Sequence, residues 1–165
     1  NPILAEDLGE ASKDAAVLRK TYGIPGMKIL QMSFGNGTPF KSMSENTVVY
    51  TGTHDNDTCI GWYFSENGDG TTQSNKEILK ERIHAKNVLK LNDIDVNWRM
   101  VEYSMKSNAN TAIFPMQDIL GMDSSARMNT PGTIGGNWEW RYNQTHLNDG
   151  IKHRLKKLTK ETQRI

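Results

Sequence analysis

The chain has a single cysteine, Cys59, in 165 residues, which excludes an internal disulfide framework and a multi-cysteine zinc site. It also lacks an excess of either charge. Its 20 basic and 19 acidic residues leave a formal net charge of +1, so bulk electrostatics favour neither a nucleic-acid nor a membrane partner. No apolar run approaches the roughly 18 residues that a membrane span needs. The opening NPILAEDLG has neither the basic stretch nor the long apolar run of a signal peptide, and no initiating Met. It reads as sequence from the middle of a fold, so the expectation is a fragment or a chain whose beginning lies elsewhere. Repeats and low-complexity tracts are missing. His84, His146 and His153 have no ligand-like spacing, so no metal is expected. What remains is an ordinary globular composition, 36% hydrophobic with 14 glycines, compatible with one domain and a sizeable core.

Short apolar runs alternate with helical patterns. Ile3 to Ala5 is a first strand candidate, ending in Glu6 and Asp7. EASKDAAVLRKTYG follows, with Ala15, Leu18 and Tyr22 at helical spacing and Gly23 as a stop. GMKILQMSF reads as a second strand, and a loop with Gly35, Gly37 and Pro39 comes next. TVVYTGTH is a third. SNKEILKERIHAKNVLKL places Ile78, Leu79, Ile83, Val88 and Leu89 near one helix face, capped by Ser74 or Asn75. NWRMVEYSMKS prolongs that helical region. TAIFPMQDIL is a fourth apolar run, whose Pro115 suits a strand end better than a strand centre. After the long loop SARMNTPGTIGGNWEWRY, the closing DGIKHRLKKLTKETQRI has one apolar stripe, Ile151, Leu155 and Leu158. The segment from Gly68 to Asp95 carries no motif.

Strands alternating with helices predict an α/β fold with a parallel sheet. A nucleotide-binding sheet would open its first helix with a Gly-rich turn, whereas AEDLGEAS places carboxylates there, which repel phosphate. Polar groups gather instead at the expected strand ends: Glu6 and Asp7 after the first, His54 to Asp57 after the third, Gln117 and Asp118 within the fourth. In a (β/α)₈ barrel, catalytic side chains sit at the carboxyl ends of strands. A rigid buried strand that finishes on His-Asp-Asn-Asp fits such a site.

LAEDLG, GMKILQ, VVYTGTHDNDT, PMQDIL, SARMNTPGT and GNWEWR, in that order, resemble the C-terminal part of the 4-α-glucanotransferases, the amylomaltases or disproportionating enzymes of glycoside hydrolase family 77. The resemblance covers nearly the whole chain. It implies the C-terminal half of a (β/α)₈ TIM barrel, with residues 1–165 as the C-terminal portion of one catalytic domain whose N-terminal part lies outside this chain. It implies a retaining transfer of α-1,4-glucan segments between oligosaccharides, with Glu6 as general acid/base and Asp55 as transition-state stabiliser. His54 would contact the same sugar, Asn129 would lie near it, and Asp7 is a further substrate-binding candidate. The nucleophilic Asp would belong to an earlier strand. No cofactor is implied. The partners would be α-1,4-glucan donors and acceptors, maltooligosaccharides and glucose, and the N-terminal remainder of the barrel. A cytoplasmic location is implied, or a plastid in a plant or alga.

The chemistry asks for these residue types. A glycosidic oxygen leaves only when protonated, so an acid must hold its proton near neutrality. Retention places a nucleophile roughly 5–5.5 Å from that acid. Hydrogen bonds that tighten as the sugar flattens favour the oxocarbenium-like transition state. Transfer needs a second glucan to meet the intermediate in place of water, and Trp138 and Trp140 are candidate platforms for it. Asp118 is the spare carboxylate hardest to dismiss as a nucleophile within the chain.

Simpler readings compete. Glu6-Asp7 could be an acidic pair at a helix N-terminus, and Asp55 part of an Asx turn. Asp55, Asp57 and Glu66 fall at EF-hand spacing, but Cys59 and Ile60 stand where oxygen and Gly are needed. PGTIGGNWEW lacks the Lys-Ser/Thr of a phosphate loop. NDT at Asn56 and NQT at Asn143 match the glycosylation pattern by chance, and Cys59 is expected to be a buried, unreactive thiol. The competing functions are a non-catalytic glucan-binding or structural fragment, and an α-glucan hydrolase of the amylase-like group.

Overall fold

The computed structural model describes residues 3–8, 12–35, 40, 43–65 and 74–164. Gly37, Pro39 and Glu66 lie outside the described residues. Three strands, β1 (Gly26–Ile29), β2 (Thr47–Tyr50) and β3 (Thr111–Ile113), form one parallel sheet in the order β1-β2-β3. Gly26 pairs with Thr47 and Ile29 with Tyr50, while Val48 pairs with Thr111 and Tyr50 with Ile113. The central strand is the β-branched TVVY, and Val48 and Val49 are both buried, as expected of a parallel strand covered on each face. Successive side chains point to opposite faces. Val49 and Ala112 join the main core with Leu30, Phe34, Leu89 and Met100. Met27, Tyr50 and Ile113 face the other way and line a cavity.

Six helices accompany the sheet among the described residues: α1 (Ser12–Thr21), α2 (Cys59–Phe64), α3 (Asn75–Leu89), α4 (Val96–Met105), α5 (Met116–Leu120) and α6 (Asp149–Glu161). Ser74 caps α3 as expected, in a reciprocal capping box with Glu77. α6 forms where its pattern predicts, and Ile151, Leu155 and Leu158 pack on Trp98, Val101, Met105 and Ile119. Arg164, past the end of α6, donates to the carbonyls of Met105 and Ser107 at 2.7 and 2.9 Å, satisfying groups at the end of α4.

Several expectations need correction. The run Ile3 to Ala5 forms no strand. Ala5 N–H donates to the Pro25 carbonyl at 3.0 Å, and the next bond along the edge of β1 comes from a side chain: Met27 N–H donates to Asp7 Oδ1 at 2.9 Å. Asp7 thus takes the place of a backbone ladder. The third strand stops at Tyr50, before His54. The fourth stops at Ile113, and Pro115 then opens α5, so Gln117 and Asp118 occupy a helical turn and not a strand. Proline has no N–H with which to continue a ladder.

The expected face of α3 divides. Ile78, Ala85 and Leu89 are buried, whereas Leu79 and Ile83 to one side of them and Val88 to the other are exposed. NWRMVEYSMKS is a separate helix, because Lys90, Asp93 and Asp95 all take left-handed backbone conformations between α3 and α4. Tyr63 Oη donates to Asp93 Oδ1 at 2.6 Å and Lys86 pairs with Asp93 at 2.9 Å, which fastens this break to α2. Burial, reinforced by the bond to Asp93, pushes the Tyr63 phenol up to about 12. α1 ends at Thr21, with Gly23 at φ +64° as the expected stop just beyond it, but Leu18 and Tyr22 are exposed. No described element covers that face.

Gly26 has a steric role. A Cβ there would stand 2.6 Å from Asp7 Oδ2 and 2.7 Å from the Arg19 guanidinium carbon. Gly26→Ala should therefore disturb the Asp7–Arg19 contact and lower stability by about 1–3 kcal/mol, measured by urea unfolding. A midpoint equal to wild type would contradict this packing.

Candidate active site

A cavity of about 490 Å³ opens beyond the carboxyl ends of β2 and β3. Leu4 and Glu6 border it from one side, Thr53, His54, Asn56 and Asp57 from the loop after β2, and Arg127, Met128 and Trp138 from the loop before α6. Met27, Tyr50 and Ile113 form its apolar floor. Burial, followed by the nearby charge of Glu6, raises the Tyr50 phenol above its ordinary value.

Glu6 and Asp7 are neighbours that part ways. Glu6 is exposed and lines the cavity. Asp7 turns toward α1, where Arg19 Nε approaches its Oδ2 at 2.9 Å while Oδ1 accepts from Met27 N–H. The structure does not place Asp7 among the cavity-lining residues.

The loop after β2 is folded by its own polar groups. Asn56 Oδ1 accepts from Thr53 N–H at 2.8 Å and from Thr53 Oγ1 at 2.9 Å. Asp57 is tied to the scaffold: Oδ1 accepts from Thr58 N–H at 2.7 Å, Oδ2 from Ser124 Oγ at 2.6 Å, and its carbonyl from Gln31 Nε2 at 2.9 Å. Thr58 caps α2 through a bond from Gly61 N–H. His54 and Asp55 are left half-exposed, 3.4 Å apart between Nε2 and Oδ1.

A second loop fastens onto these residues. Asn129 Nδ2 donates to Asp55 Oδ1 at 2.6 Å, and Asn129 N–H donates to the His54 carbonyl at 3.1 Å. Arg127 Nη2 donates to the Asp55 carbonyl at 2.7 Å and its Nε to the Asn129 carbonyl at 2.9 Å. Trp138, at φ +63°, lies with its ring centroid 5.0 Å from that of His54. Its N–H donates to the Met128 carbonyl at 2.7 Å, which closes the loop. His54, Asp55, Asn129 and Trp138 are thus brought together, with His54 and Trp138 lining the cavity and Asp55 and Asn129 beside it, outside its lining. Trp140 is not among the residues lining this cavity, and stacks instead on Tyr142 at 6.3 Å.

The sequence reading missed Arg127, Thr53, Asn56 and Tyr50. Each stands inside a quoted motif, but nothing in their spacing tells that Arg127 would reach the Asp55 carbonyl. Asp118 is only 1% exposed. Its Oδ2 accepts from Thr51 Oγ1 at 2.5 Å and its Oδ1 from Cys59 N–H at 2.7 Å. Those bonds leave it poorly placed to attack a sugar. Burial pushes its carboxyl up, opposed by the bonds from Thr51 and Cys59. Cys59 is buried, as expected, and burial followed by the charge of Asp118 raises its thiol well above the usual range.

A parallel α/β sheet with a cavity beyond its strand ends, bordered by Glu6 and the His54-Asp55 loop, is the layout of an α/β enzyme site. The family model described as 4-alpha-glucanotransferase, of glycoside hydrolase family 77, matches residues 1–146. The chain belongs to this family. It is 41% identical to the 4-alpha-glucanotransferase of Synechocystis over 167 residues, covering 96% of this chain and 30% of that protein. It is 37% identical to that of Thermus thermophilus, covering 99% and 33%, and 45% identical to the chloroplastic/amyloplastic enzyme of Arabidopsis thaliana, covering 84% and 23%. Among solved structures, an amylomaltase from Streptococcus agalactiae in complex with acarbose superposes with a TM-score of 0.85 at 31% identity, covering 99% of this chain and 32% of that one. The chain spans about a third or less of the length of these relatives.

The buried carboxylate yields a stability prediction. Asp118→Leu would leave the Cys59 N–H and the Thr51 hydroxyl without their acceptor, at about 1–3 kcal/mol for each group. Asp118→Asn should cost less, since an amide keeps one acceptor oxygen. Because the folded state raises this carboxyl, its contribution is full below the ordinary carboxylate range and is lost as pH rises through the raised value. Relative to Asp118→Asn, the wild-type protein should lose stability over that rise, followed by urea unfolding at stepped pH. A constant difference between the two proteins would contradict it.

Proposed function

We propose that this chain is the C-terminal portion of the (β/α)₈ catalytic domain of a retaining 4-α-glucanotransferase, which moves α-1,4-glucan segments between oligosaccharides. The observation that carries this reading is that Glu6 and the loop bearing His54 and Asp55 border one cavity beyond the strand ends. Glu6 protonates the leaving glycosidic oxygen and, as the same group now deprotonated, activates the acceptor hydroxyl in the second half-reaction. Asp55 binds sugar hydroxyls more tightly as the ring approaches the oxocarbenium-like state, with Asn129 and Arg127 holding it from behind. His54 contacts the same sugar beneath Trp138.

Retention requires a carboxylate nucleophile. Among the described carboxylates nearby, Asp7 is paired with Arg19, Asp57 is bonded to Ser124 and Thr58, and Asp118 is buried. The nucleophile on this reading comes from the N-terminal remainder of the barrel, which also completes the glucan-binding cleft. Trp138 supplies an aromatic surface for the glucan at the cavity, and Trp140, paired with Tyr142, supplies one farther out. The chemistry uses carboxylates alone and draws on no cofactor. Binding through hydroxyl contacts and aromatic faces suits neutral maltooligosaccharides and glucose.

In the full-length enzyme, Glu6→Gln should lower maltotriose disproportionation by about 100- to 10,000-fold. An α-glucosyl fluoride donor, whose leaving group needs no proton, should partly restore the first step. Chromatography of glucose and longer products measures both, and a variant within a few-fold of wild type on maltotriose would overturn the acid/base assignment. The 165-residue chain alone should form no longer oligosaccharides from maltotriose, and their appearance would sink the reading that the nucleophile lies outside this chain. Product analysis with glucose as acceptor separates transfer from hydrolysis.

A further inference from the structure

The loop that carries His54 and Asp55 runs between Thr51 at the end of β2 and Cys59 at the start of α2. Both flanking residues are fully buried, and both bond to one carboxylate. Thr51 Oγ1 donates to Asp118 Oδ2 at 2.5 Å, and Cys59 N–H donates to Asp118 Oδ1 at 2.7 Å. Asn97 Nδ2 in turn donates to the Asp118 carbonyl at 2.7 Å, fixing α5 against α4. One side chain therefore spans the two ends of the loop from a helix distant in sequence. Asp118 borders the cavity wall but is only 1% exposed, with both oxygens bonded, so it acts through the loop and not by contact with a sugar.

We propose that Asp118, with Thr51 as its strand-side partner, is a positioning residue for Asp55. The bridge sets the separation and level of the loop ends, and thereby the position of Asp55 and of His54, which lines the cavity beside it. A buried carboxylate is a costly way to pin a loop unless both oxygens are used, and here each holds one end. A misplacement of about 1 Å can cost on the order of 100-fold in rate, so a modest slackening of the bridge is enough to matter. The inference rests on the role of Asp55 proposed above.

Thr51→Val in the full-length enzyme is the direct test, because it removes the hydroxyl and keeps the shape. With maltotriose, kcat should fall about tenfold or more while KM stays within about threefold, the pattern of an interaction that serves the transition state. Thr51→Ser, which restores the hydroxyl, should return kcat to near wild type. The loss should persist with an α-glucosyl fluoride donor, since the stabiliser acts whatever the leaving group, whereas loss of acid catalysis is bypassed there. Added to Asp55→Asn, Thr51→Val should cause little further loss, because coupled residues are not additive. Asp118→Asn, which keeps the side-chain outline, is the second variant and should show the same split to a smaller degree.

A lowered melting temperature with wild-type kcat and KM would make the bridge merely structural and overturn the proposal. So would losses that multiply in the Asp55→Asn background. If Asp55→Asn is inactive and Thr51→Val is not impaired, only the positioning role fails. If Asp55→Asn itself keeps wild-type kcat, the assignment of Asp55 fails and the positioning role falls with it.

Discussion

A carboxylate taken out of water must have its oxygens satisfied, and Asp118 meets that demand by joining the end of a strand to the start of a helix. These two bonds close the stretch of backbone between β2 and α2. Around that joint the other polar groups fall into place. Thr58 caps α2, Asp57 reaches Ser124, Gln31 holds the Asp57 carbonyl, and Asn56 folds the turn against Thr53. What is left over is His54, which lines the cavity, and Asp55, half-exposed beside it. The polar run after an apolar strand is therefore a division of labour, with most of its members building the support.

The same division appears at Glu6 and Asp7. The two carboxylates differ by one position, yet Glu6 borders the cavity and Asp7 pairs with Arg19. Asp7 meets Arg19 and the Met27 amide over the bare backbone of Gly26, joining the segment to β1 and α1 together. That anchoring fixes the segment from which Glu6 borders the cavity. A side-chain acceptor in place of a backbone ladder also explains how a segment can run along a sheet without forming a strand.

Much of this architecture was legible in local pattern. The β-branched run of β2, the cap of α3 and the stripe of α6 are short-range signals, and they led to a parallel α/β sheet with polar strand ends. The errors lie where long-range bonds overrule pattern. Pro115 was weighed as a strand-end residue, yet it opens a helix that turns Asp118 inward to Thr51 and Cys59. The apolar residues of α3 looked like one face, but only the stripe through Ile78, Ala85 and Leu89 has a core to meet. Six ordered motifs carried the family. They did not tell that Arg127 and Asn129 clasp Asp55, because those bonds join loops more than 70 positions apart in sequence.

Cys59 lends the joint a further property. Its amide is bound by Asp118 and its thiol is enclosed beside the same carboxyl, with its ionisation suppressed. Thiolate is the species that oxidants and alkylating reagents consume. The sulfur is therefore chemically silent while strand and helix stay joined and becomes accessible when they separate. The protein carries, at the base of its candidate catalytic loop, a native gauge of local opening whose rate of modification would follow the population of the open state.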